Sequence, residues 1–597
     1  MTVGRMVVPT KSAAAFQQAV AIYRQGRLEE AEALCRKTLK VDPRHVGALH
    51  LLGVIGLRRR NPAGALQAFD RLLKMQPDNP ELLNNRAMAL YDVGRHDEAL
   101  KSFDRALALR PSYPEALNNR AGMLYAMRRA ADAAETYARL LAIAPDQQTL
   151  SALQRARITV CDWTDYDKTC AEIVAQVERD VPQVDAMSLT WFSFSAALQR
   201  RAVEVYARRY TARPLPSVVR GPADRIRIGY FSRDFHEHPM AYMHVGLFEG
   251  LDRSKFEVIA LSYGQGDKSA MRARLVKAFD RFIDIGRLND LEAAQLIRRE
   301  QVDILVDLSG LTAGNRVSIL SHRPAPIQVN GQGFGMGVPF MDYVMSDVVT
   351  APDHLREVMY REKVVRLPDT WITTDTDQAI ADETPSRAAE GLPETGFVFC
   401  CFGTHYRITP AVFDVWMRLL AEVPGSVLWL RHDTDTSRAN LIKEAHARGI
   451  AADRLVLARR VELDVHLARH RLAGLFLDTF PCGVQTTASH ALWAGLPLIT
   501  TLGETFVSRT TASILHAAGL PELVASSLAG YEALALSLAR DPGRLDALRR
   551  KLAANRTTAP LFDGARYRRH VEQAYLRMVE RQRSGQPPAS FDVPAVA

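Results

Sequence analysis

The sequence predicts a mixed α + α/β protein in which an array of helical hairpins precedes two doubly wound α/β lobes. Two observations predict this order: a 34-residue repeat covers the first part of the chain, and strand–helix alternation fills two successive blocks after Arg225. The length of 597 residues supports several domains, because one hydrophobic core does not extend over so long a chain.

The repeat is visible as columns of identical residues in one register. Prolines stand at Pro43, Pro77, Pro111 and Pro145, alanines at Ala31, Ala65, Ala99 and Ala133, and glycines at Gly26 and Gly94. Glycine suits a turn, alanine suits a close crossing of helices, and proline ends a helix, so each unit is predicted to be a helical hairpin. The units resemble tetratricopeptide repeats (TPR), which stack into a superhelix whose concave surface binds proteins. We expect this TPR domain over residues 11–150.

An amide pair recurs at the repeat spacing. Asn85 and Asn119 occupy equivalent positions on the first helix of successive repeats, as do Asn84 and Asn118. Amide side chains on a concave face can hydrogen-bond an extended peptide, so Asn85 and Asn119 are predicted to bind the acceptor. The alternative is that they are solvated helix residues.

A helical connector is expected over residues 151–222, and it ends in a Pro/Gly cluster, "RPLPSVVRGPADR", which is typical of a domain boundary. Short buried-strand patterns then alternate with helical ones. They are "RIRIGYFS", "KFEVIALSYG" and "VDILVDLSG" in a first lobe, residues 223–390, and "GFVFCCFG", "GSVLWLRH", "RLVLARRV", "LAGLFLDT" and "LPLIT" in a second, residues 391–580. Residues 581–597 are expected to be a flexible tail. Parallel sheets of this kind bind ligands outside the carboxyl ends of their strands.

The composition is that of an ordinary soluble protein, with 47% apolar and 24% charged residues. The net charge of +9 is spread without a block of five basic residues, which favours a solvated surface over a nucleic-acid footprint. No apolar run reaches the roughly 18 residues of a membrane helix, and we find no signal-peptide core. We therefore expect a cytoplasmic protein with neither a membrane nor a nucleic-acid partner.

Metal binding is not predicted. The six cysteines show no CxxC pair and no metal-ligand spacing, so they are expected to be reduced and mostly buried thiols. The triplet from His236 to His238 lacks a third ligand at a suitable spacing.

Several longer motifs carry a specific resemblance. "RIRIGYFSRDFHEHPMAY", "LSHRPAPIQV", "FMDYVMSD", "LFLDTFPCGVQTTASHALWAGLPLIT" and "GETFVSRTTASIL" are similar to the O-GlcNAc transferase family. The resemblance covers nearly the whole chain. It implies a TPR superhelix followed by a GT-B fold with two Rossmann-like lobes. It also implies an inverting glycosyltransferase that moves a sugar, GlcNAc from UDP-GlcNAc, to Ser or Thr of proteins without a metal or other cofactor.

The threonine pair Thr486 and Thr487 stands at a predicted helix start. Such a start offers free N–H groups and partial positive charge, which suit a diphosphate, and the hydroxyls add donors. Gly483 lets the backbone approach closely. By resemblance this is the family's pyrophosphate loop, and the alternative is plain helix capping by threonine.

The resemblance assigns further residues. His238 matches the histidine beside the reacting sugar and is the predicted catalytic residue, because a neutral imidazole can accept the acceptor proton or can position it. Arg407 stands where the family usually has a phosphate-binding lysine, and His466 matches a histidine near the nucleotide base. Thr312 and Gln328 are predicted to line the donor site from the first lobe.

Further donor-site positions besides Arg407 depart from the family. His490 replaces an acidic residue that binds the ribose hydroxyls, and Gln485 replaces a histidine before the threonine pair. An imidazole lacks the two acceptor oxygens of a carboxylate, so the donor is open to a different choice.

Three functions therefore remain open. The first is protein O-GlcNAc transfer. The second is glycosylation of flagellin from a CMP-nonulosonic acid of the pseudaminic type, as in bacterial enzymes of similar architecture. The third is an inactive TPR scaffold.

Overall fold

The computed structural model describes residues 11–59, 61–182, 186–192, 194–216 and 225–596. The chain forms two compact units, one ending at Arg157 and the other beginning at Ile158. The predicted repeat domain ends at residue 150, so the first unit is slightly longer than expected.

The first unit consists of antiparallel helical hairpins. Its helices are α1 (Lys11–Arg24), α2 (Leu28–Val41), α3 (Val46–Arg58), α4 (Pro62–Met75), α5 (Pro80–Asp92), α6 (His96–Leu109), α7 (Pro114–Ala126) and α8 (Ala130–Ile143), followed by α9 (Gln147–Thr159). The second helix of each hairpin ends two residues before a proline of the repeat column. The alanine column is fully buried. The predicted hairpin repeat is therefore confirmed.

The turns of the hairpins need a left-handed backbone. Gly26 and Gly94 have φ of 80° and 81°, and Arg128, one repeat after Gly94, takes the same turn with φ 62°. A side chain is rarely found in this conformation, which explains the glycine column and makes Arg128 an exception.

Two helices, α10 (Tyr166–Glu178) and α11 (Ala196–Ala207), make up the connector. Part of the Pro/Gly cluster after it, residues 217–224, lies outside the described residues, and with it the expected boundary at residue 222.

The first lobe is built on a parallel sheet. Its strands are β1 (Ile226–Ser232), β2 (Phe256–Ser262), β3 (Arg281–Asp284), β4 (Ile304–Asp307), β5 (Ile327–Asn330), β6 (Tyr343–Asp347) and β7 (Lys363–Leu367). Its helices are α12 (Pro239–Gly250), α13 (Ala270–Ala278), α14 (Asp290–Arg299), α15 (Val317–Leu320) and α16 (Asp353–Met359). The spatial order is β3-β2-β1-β4-β5-β6-β7, the doubly wound order of dinucleotide-binding sheets.

The second lobe repeats this design. Its strands are β8 (Val398–Cys401), β9 (Val427–Arg431), β10 (Leu455–Ala458), β11 (Leu475–Leu477), β12 (Leu498–Thr501) and β13 (Val524–Ala525), in the order β10-β9-β8-β11-β12-β13. Its helices are α17 (Pro410–Glu422), α18 (Asp435–Ala447), α19 (Leu463–Arg469), α20 (Thr486–Trp493), α21 (Thr510–Ala517), α22 (Leu528–Arg540) and α23 (Pro542–Asn555). The predicted pair of doubly wound parallel sheets is confirmed.

The end of the chain differs from the prediction. Helix α24 (Gly564–Arg583) packs on the first sheet, where the Tyr575 hydroxyl lies 3.1 Å from that of Tyr230. Strand β14 (Phe591–Asp592) then pairs with β7, and both carboxylate oxygens of Asp592 accept from Arg366 at 2.7 and 2.6 Å. Apolar burial and strand pairing fix this segment, so the expected flexible tail over 581–597 is wrong. Helix α24 likewise belongs to the first lobe and not to the second.

One hydrophobic core runs from the first lobe into the second. Trp371, after β7, and Phe506, after β12, meet edge to face with ring centroids 5.0 Å apart. Asp347 at the end of β6 accepts from the Ser513 hydroxyl at 2.5 Å. These contacts join the segments that follow the carboxyl ends of strands in the two sheets.

Candidate functional site

The strand order reverses between β1 and β4 in the first sheet and between β8 and β11 in the second. A ligand of a doubly wound sheet binds at such a reversal, beyond the carboxyl ends of the strands. The loops there carry most of the predicted site: His238 after β1, Thr312 after β4, Arg407 after β8, and Gly483 and Gln485 to Thr487 after β11.

The loop after β11 leads directly into α20, as predicted. Gln485 precedes the helix with φ 40° and makes no capping hydrogen bond, and Thr486 and Thr487 are the first helical residues. The Thr486 hydroxyl donates to the Met243 sulfur at 3.1 Å. The N-cap position is occupied by Gln485, whose side chain accepts no helix N–H, and Thr486 is already inside the helix, so the threonine does not stand at the capping position.

Arg407 lies against this loop. Its Nη1 donates to the Gly483 carbonyl and to the Cys482 sulfur, the latter at 2.9 Å, and its guanidinium lies over the Tyr406 ring at 5.2 Å. A guanidinium stays charged at any working pH. The structure thus brings a cation from the β8 loop to the β11 loop, next to the start of α20.

His238 is the cap of α12. Its Nδ1 accepts from the Met240 N–H at 3.2 Å, so in the neutral ring the proton is on Nε2. Burial lowers the pKa of His238, while the carboxylate of Asp234 opposes this shift. A neutral ring that presents Nε2–H donates a hydrogen bond, and in this tautomer it has no free lone pair with which to accept a proton.

Helix α12 also reaches the second lobe. Besides the contact of Met243 with Thr486, Tyr242 and His490 approach edge to face with ring centroids 6.5 Å apart. The helix that begins at His238 therefore lies beside the helix that begins at Thr486. Sequence reasoning missed Tyr242 and Met243, because a contact between distant segments leaves no local pattern, although both lie within or beside the motif "DFHEHPMAY".

A cluster of imidazoles adjoins α20. The rings of His466 and His470 lie 4.9 Å apart, and the His466 ring is 5.2 Å from that of Phe402. Arg469 donates to His466 Nδ1 at 2.7 Å, which leaves Nε2–H of His466 as a donor. Burial lowers the pKa of His466, with contributions from His470, Arg469 and then His490, so the structure brings His466 and His490 into one neighbourhood.

Comparison with known proteins accords with this geometry. The family description "Glycosyl transferase family 41" matches residues 215–384 and 382–571, and a tetratricopeptide-repeat description matches residues 16–80 and 84–147. The chain belongs to glycosyl transferase family 41.

Curated relatives of this family 41 chain carry related names. It is 32% identical over 460 residues to a probable UDP-N-acetylglucosamine–peptide N-acetylglucosaminyltransferase SEC of Arabidopsis thaliana, covering 73% of this chain and 47% of the relative. It is 26% identical over 559 residues to a UDP-N-acetylglucosamine–peptide N-acetylglucosaminyltransferase of Caenorhabditis elegans, covering 72% and 48%. The chain thus spans about half the length of these relatives.

A solved structure, a K341M mutant of the Thermobaculum terrenum O-GlcNAc transferase, has 27% sequence identity and a TM-score of 0.61 over 96% of this chain and 98% of that one. The likeness confirms the predicted fold and the resemblance to O-GlcNAc transferases.

In this family 41 chain, the imidazole of His490 has a ring nitrogen without a hydrogen-bond partner. Its Nε2 is buried and has no hydrogen-bond partner, and burial lowers the pKa of His490 to about 4. The ring is therefore neutral at working pH, and it offers a ligand one uncharged hydrogen bond.

Gln328 is not a donor-binding residue. It is fully buried in β5, where its Nε2 donates to the carbonyls of Leu320 at 3.1 Å and Phe340 at 2.6 Å. The prediction was wrong because the strand places this amide inside the lobe and not in the loop beyond it. Thr312 does lie in the β4 loop, half-buried, with its hydroxyl donating to the Ser309 carbonyl at 2.7 Å. Its contact with a donor stays a prediction.

Asp307, at the end of β4, organises that loop and was missed by the sequence reasoning. It is 1% exposed and accepts from the N–H groups of Ser309 at 2.9 Å and Gly310 at 3.1 Å. Burial raises the pKa of Asp307 to about 6. A carboxylate that follows a buried strand was the available signal, as in "VDLSG".

Replacing Asp307 with asparagine should change the pH dependence of stability. The raised pKa means that the folded state holds this proton more tightly than the unfolded state. Its stabilising contribution is therefore complete below about pH 4 and is lost as the pH rises through 6, by about 3 kcal/mol. Asp307→Asn has no such loss, so its melting temperature relative to the wild type should rise between pH 4.5 and 7.5. Parallel melting curves over this range would contradict the assignment.

The predicted asparagines of the repeat domain are connected. Asn119 donates to Asn84 Oδ1 at 3.1 Å, Asn84 donates to Asn85 Oδ1 at 3.2 Å, and Asn85 Nδ2 lies 3.5 Å from Nε2 of His50. Asn85 and Asn119 are half-buried. The amides form a continuous polar row along successive first helices, and their role in acceptor binding stays a prediction.

Within the described ranges, no group of three or more His, Cys, Asp or Glu side chains is placed to hold a metal ion. Over the same ranges, no helix has both the length and the apolar character needed to cross a bilayer. The six cysteines are free thiols, and only Cys170 among them is more than slightly exposed, as predicted.

Proposed function

We propose that this chain is an inverting protein O-glycosyltransferase that transfers a sugar from a nucleotide donor, UDP-GlcNAc, to Ser or Thr hydroxyls of proteins bound by its TPR domain. The observation that carries the proposal is the contact between α12 and α20. The Thr486 hydroxyl lies 3.1 Å from the Met243 sulfur, and this contact brings the helix that begins after His238 to the helix proposed to bind phosphate. The names of the relatives support the same activity. We also propose a cytoplasmic location.

The leaving group would be bound by the second lobe. In the reaction, an acceptor hydroxyl oxygen attacks the anomeric carbon, the bond from that carbon to the phosphate oxygen breaks, a nucleoside diphosphate leaves, and the proton of the acceptor hydroxyl passes to water or to a phosphate oxygen of the leaving group. The start of α20 offers N–H groups and partial positive charge, Thr486 and Thr487 offer hydroxyls, and Arg407 adds a full positive charge. These groups would neutralise the diphosphate without a metal or other cofactor.

His238 would act on the sugar side of the broken bond. Its Nε2–H is a donor, so it would hold an oxygen of the sugar or of the acceptor in line for attack. To accept the acceptor proton, the ring would first have to give up its bond to Met240. We therefore favour positioning over proton abstraction for His238.

The test of this function is binding and transfer by the full chain. UDP and UDP-GlcNAc should raise its melting temperature. Incubation with UDP-GlcNAc and a Ser/Thr-rich acceptor protein in EDTA should increase the mass of the acceptor by one GlcNAc residue for each sugar transferred. If neither UDP nor CMP changes the melting temperature, the enzymatic proposal is wrong.

A second donor deserves the same assay because of His490. The neutral imidazole replaces the carboxylate expected of the family, and a CMP-nonulosonic acid has a different sugar and one phosphate fewer. If CMP stabilises the protein and UDP does not, the flagellin-modifying alternative is favoured. The mass added to co-expressed flagellin then identifies the sugar.

Removing the amide row should weaken acceptor binding. In Asn85→Ala/Asn119→Ala, the peptide backbone loses two amide partners, so KM for a protein acceptor should rise about 5- to 20-fold. The rate of UDP-GlcNAc hydrolysis without acceptor should not change, since the donor site is untouched. The exposed Asn118→Ala variant is the matched control. An unchanged acceptor KM in the double variant would rule out this role.

A further inference from the structure

A buried carboxylate lies directly beneath the phosphate loop. Asp478 follows β11 and is 2% exposed. Its Oδ1 accepts from the N–H groups of Thr479 at 2.8 Å and Val484 at 2.9 Å, and its Oδ2 accepts from the Thr500 hydroxyl at 2.6 Å. One side chain therefore ties both ends of the loop to each other and to β12.

The bond to Val484 determines where α20 begins. The next residue, Gln485, has φ 40°, a conformation that residues with a side chain rarely adopt and that the surroundings must hold in place. Because Val484 is fixed by Asp478, the first N–H groups of α20 keep their direction before any ligand binds. This is preorganisation of an anion site by hydrogen bonds.

The loop is packed closely on this carboxylate. A methyl group at Gly483 would lie 3.2 Å from Asp478 Oδ2 and only 2.5 Å from the Thr511 hydroxyl oxygen. The Asp478 carbonyl also accepts from the Tyr531 hydroxyl at 3.0 Å, and Tyr531 accepts from the Trp416 ring N–H at 3.3 Å. The position of the loop is thus set by the rigid core of the second lobe.

The negative charge of Asp478 is unfavourable beside a site proposed to bind phosphate. A negative group beside a phosphate site repels the ligand, and the repulsion is stronger in a poorly solvated site. Burial also raises the pKa of Asp478, which shows that the ionised form is disfavoured here. Its value to the site must therefore come from the three hydrogen bonds that it accepts.

We infer that Asp478 is a positioning residue for the donor diphosphate: it fixes the start of α20 through its hydrogen bonds, and its negative charge is dispensable. This inference rests on the proposed nucleotide-sugar site and names a residue on which binding at that site depends. It predicts that shape and charge at position 478 can be separated.

The variants follow from the bonds. Asp478→Asn keeps one oxygen for the two N–H groups, and its amide can donate to the Thr500 oxygen, so the loop keeps its geometry. Asp478→Ala removes all three bonds. Thr500→Val removes only the bond to β12. Asp541→Ala is the matched control, because Asp541 likewise accepts an N–H, from Arg544 at 3.0 Å, but caps the remote helix α23.

The experiment measures Kd for UDP and CMP by calorimetry, with the melting temperature of each variant alongside. For the nucleotide that binds the wild type, Asp478→Ala should raise Kd about tenfold or more, and Thr500→Val should raise it about threefold. Asp478→Asn should raise Kd by less than about twofold. Asp541→Ala should leave Kd unchanged. A merely structural role would lower the melting temperature of Asp478→Ala without this order of Kd values.

Three results overturn the inference. The first is an Asp478→Ala variant that binds the nucleotide with the Kd of the wild type. The second is an Asp478→Asn variant that binds as weakly as Asp478→Ala, which would mean that the negative charge is required. The third applies if Asp478→Ala does not fold, and it is a Thr500→Val variant with the Kd of the wild type. A wild-type chain that binds neither nucleotide is distinguishable from all of these, because it refutes the proposed function itself.

Discussion

Replacing His238 with alanine is expected to lower kcat/KM for glycosyl transfer by about 100- to 1000-fold, the effect of losing one preorganised hydrogen-bond donor. The ring caps α12 through Nδ1 and keeps Nε2–H as a donor, so its removal takes away the donor that we propose holds the reacting oxygen and also frays the helix start. His238→Asn is the informative partner, because asparagine is a good cap and keeps a donor. It should recover part of the lost rate.

The pH dependence of His238 has a definite sign. Burial lowers the pKa of His238 below the ordinary value of a histidine, so the ring stays neutral to lower pH than an exposed imidazole does. Protonation then places a second N–H against that of Met240, and both the cap and its contribution to stability are lost toward acid. The acid limb of kcat/KM should disappear in His238→Asn. His432→Ala, at an exposed histidine, should leave the profile unchanged.

Replacing Arg407 with alanine is expected to weaken donor use by about 100- to 1000-fold. Its guanidinium is the cation that the β8 loop places against Gly483 and Cys482, and a half-buried charge beside a diphosphate contributes more than a charge in water. The donor affinity of Arg407→Lys should lie between those of the wild type and Arg407→Ala, because an ammonium keeps the charge but lacks the two-pronged geometry of a guanidinium.

The measurement is Kd for UDP together with kcat and KM for UDP-GlcNAc. Arg418→Ala is the matched control, since Arg418 lies in the same lobe but pairs at the surface with Glu532 at 2.9 and 2.7 Å. An Arg407→Ala variant with wild-type Kd and kcat would show that the residue only braces the loop.

The sequence predicted those parts of the fold that local patterns encode. The proline and alanine columns predicted the hairpins because each repeat meets its neighbour in the same way, and "RIRIGYFS" predicted β1 because a central strand of a parallel sheet is apolar on both faces. Strands such as β3, with residues "RFID", were not predicted, because a sheet-edge strand with two exposed and two half-buried residues carries little apolar signal.

Residues of the candidate site were predictable where a single sequence motif contains both the turn and the side chains proposed to bind the ligand. Thr486 and Thr487 were correctly predicted to stand at a helix start, because a strand, a glycine loop and that start follow one another in the chain, and their contact with a phosphate stays a prediction. Gln328 was misplaced because a motif does not reveal on which side of the strand end its side chain falls. Tyr242 and Met243 depend on the contact of two lobes, which only the three-dimensional structure shows.

The return of α24 and β14 to the first sheet makes that lobe discontinuous in sequence, with the whole second lobe inserted into it. Two covalent connections, not one, therefore join the lobes, and cutting either of them leaves the lobes linked by the other. A truncation before residue 564 would remove α24 and β14 and would expose an apolar face of the first sheet, although the missing residues follow the second lobe in the chain.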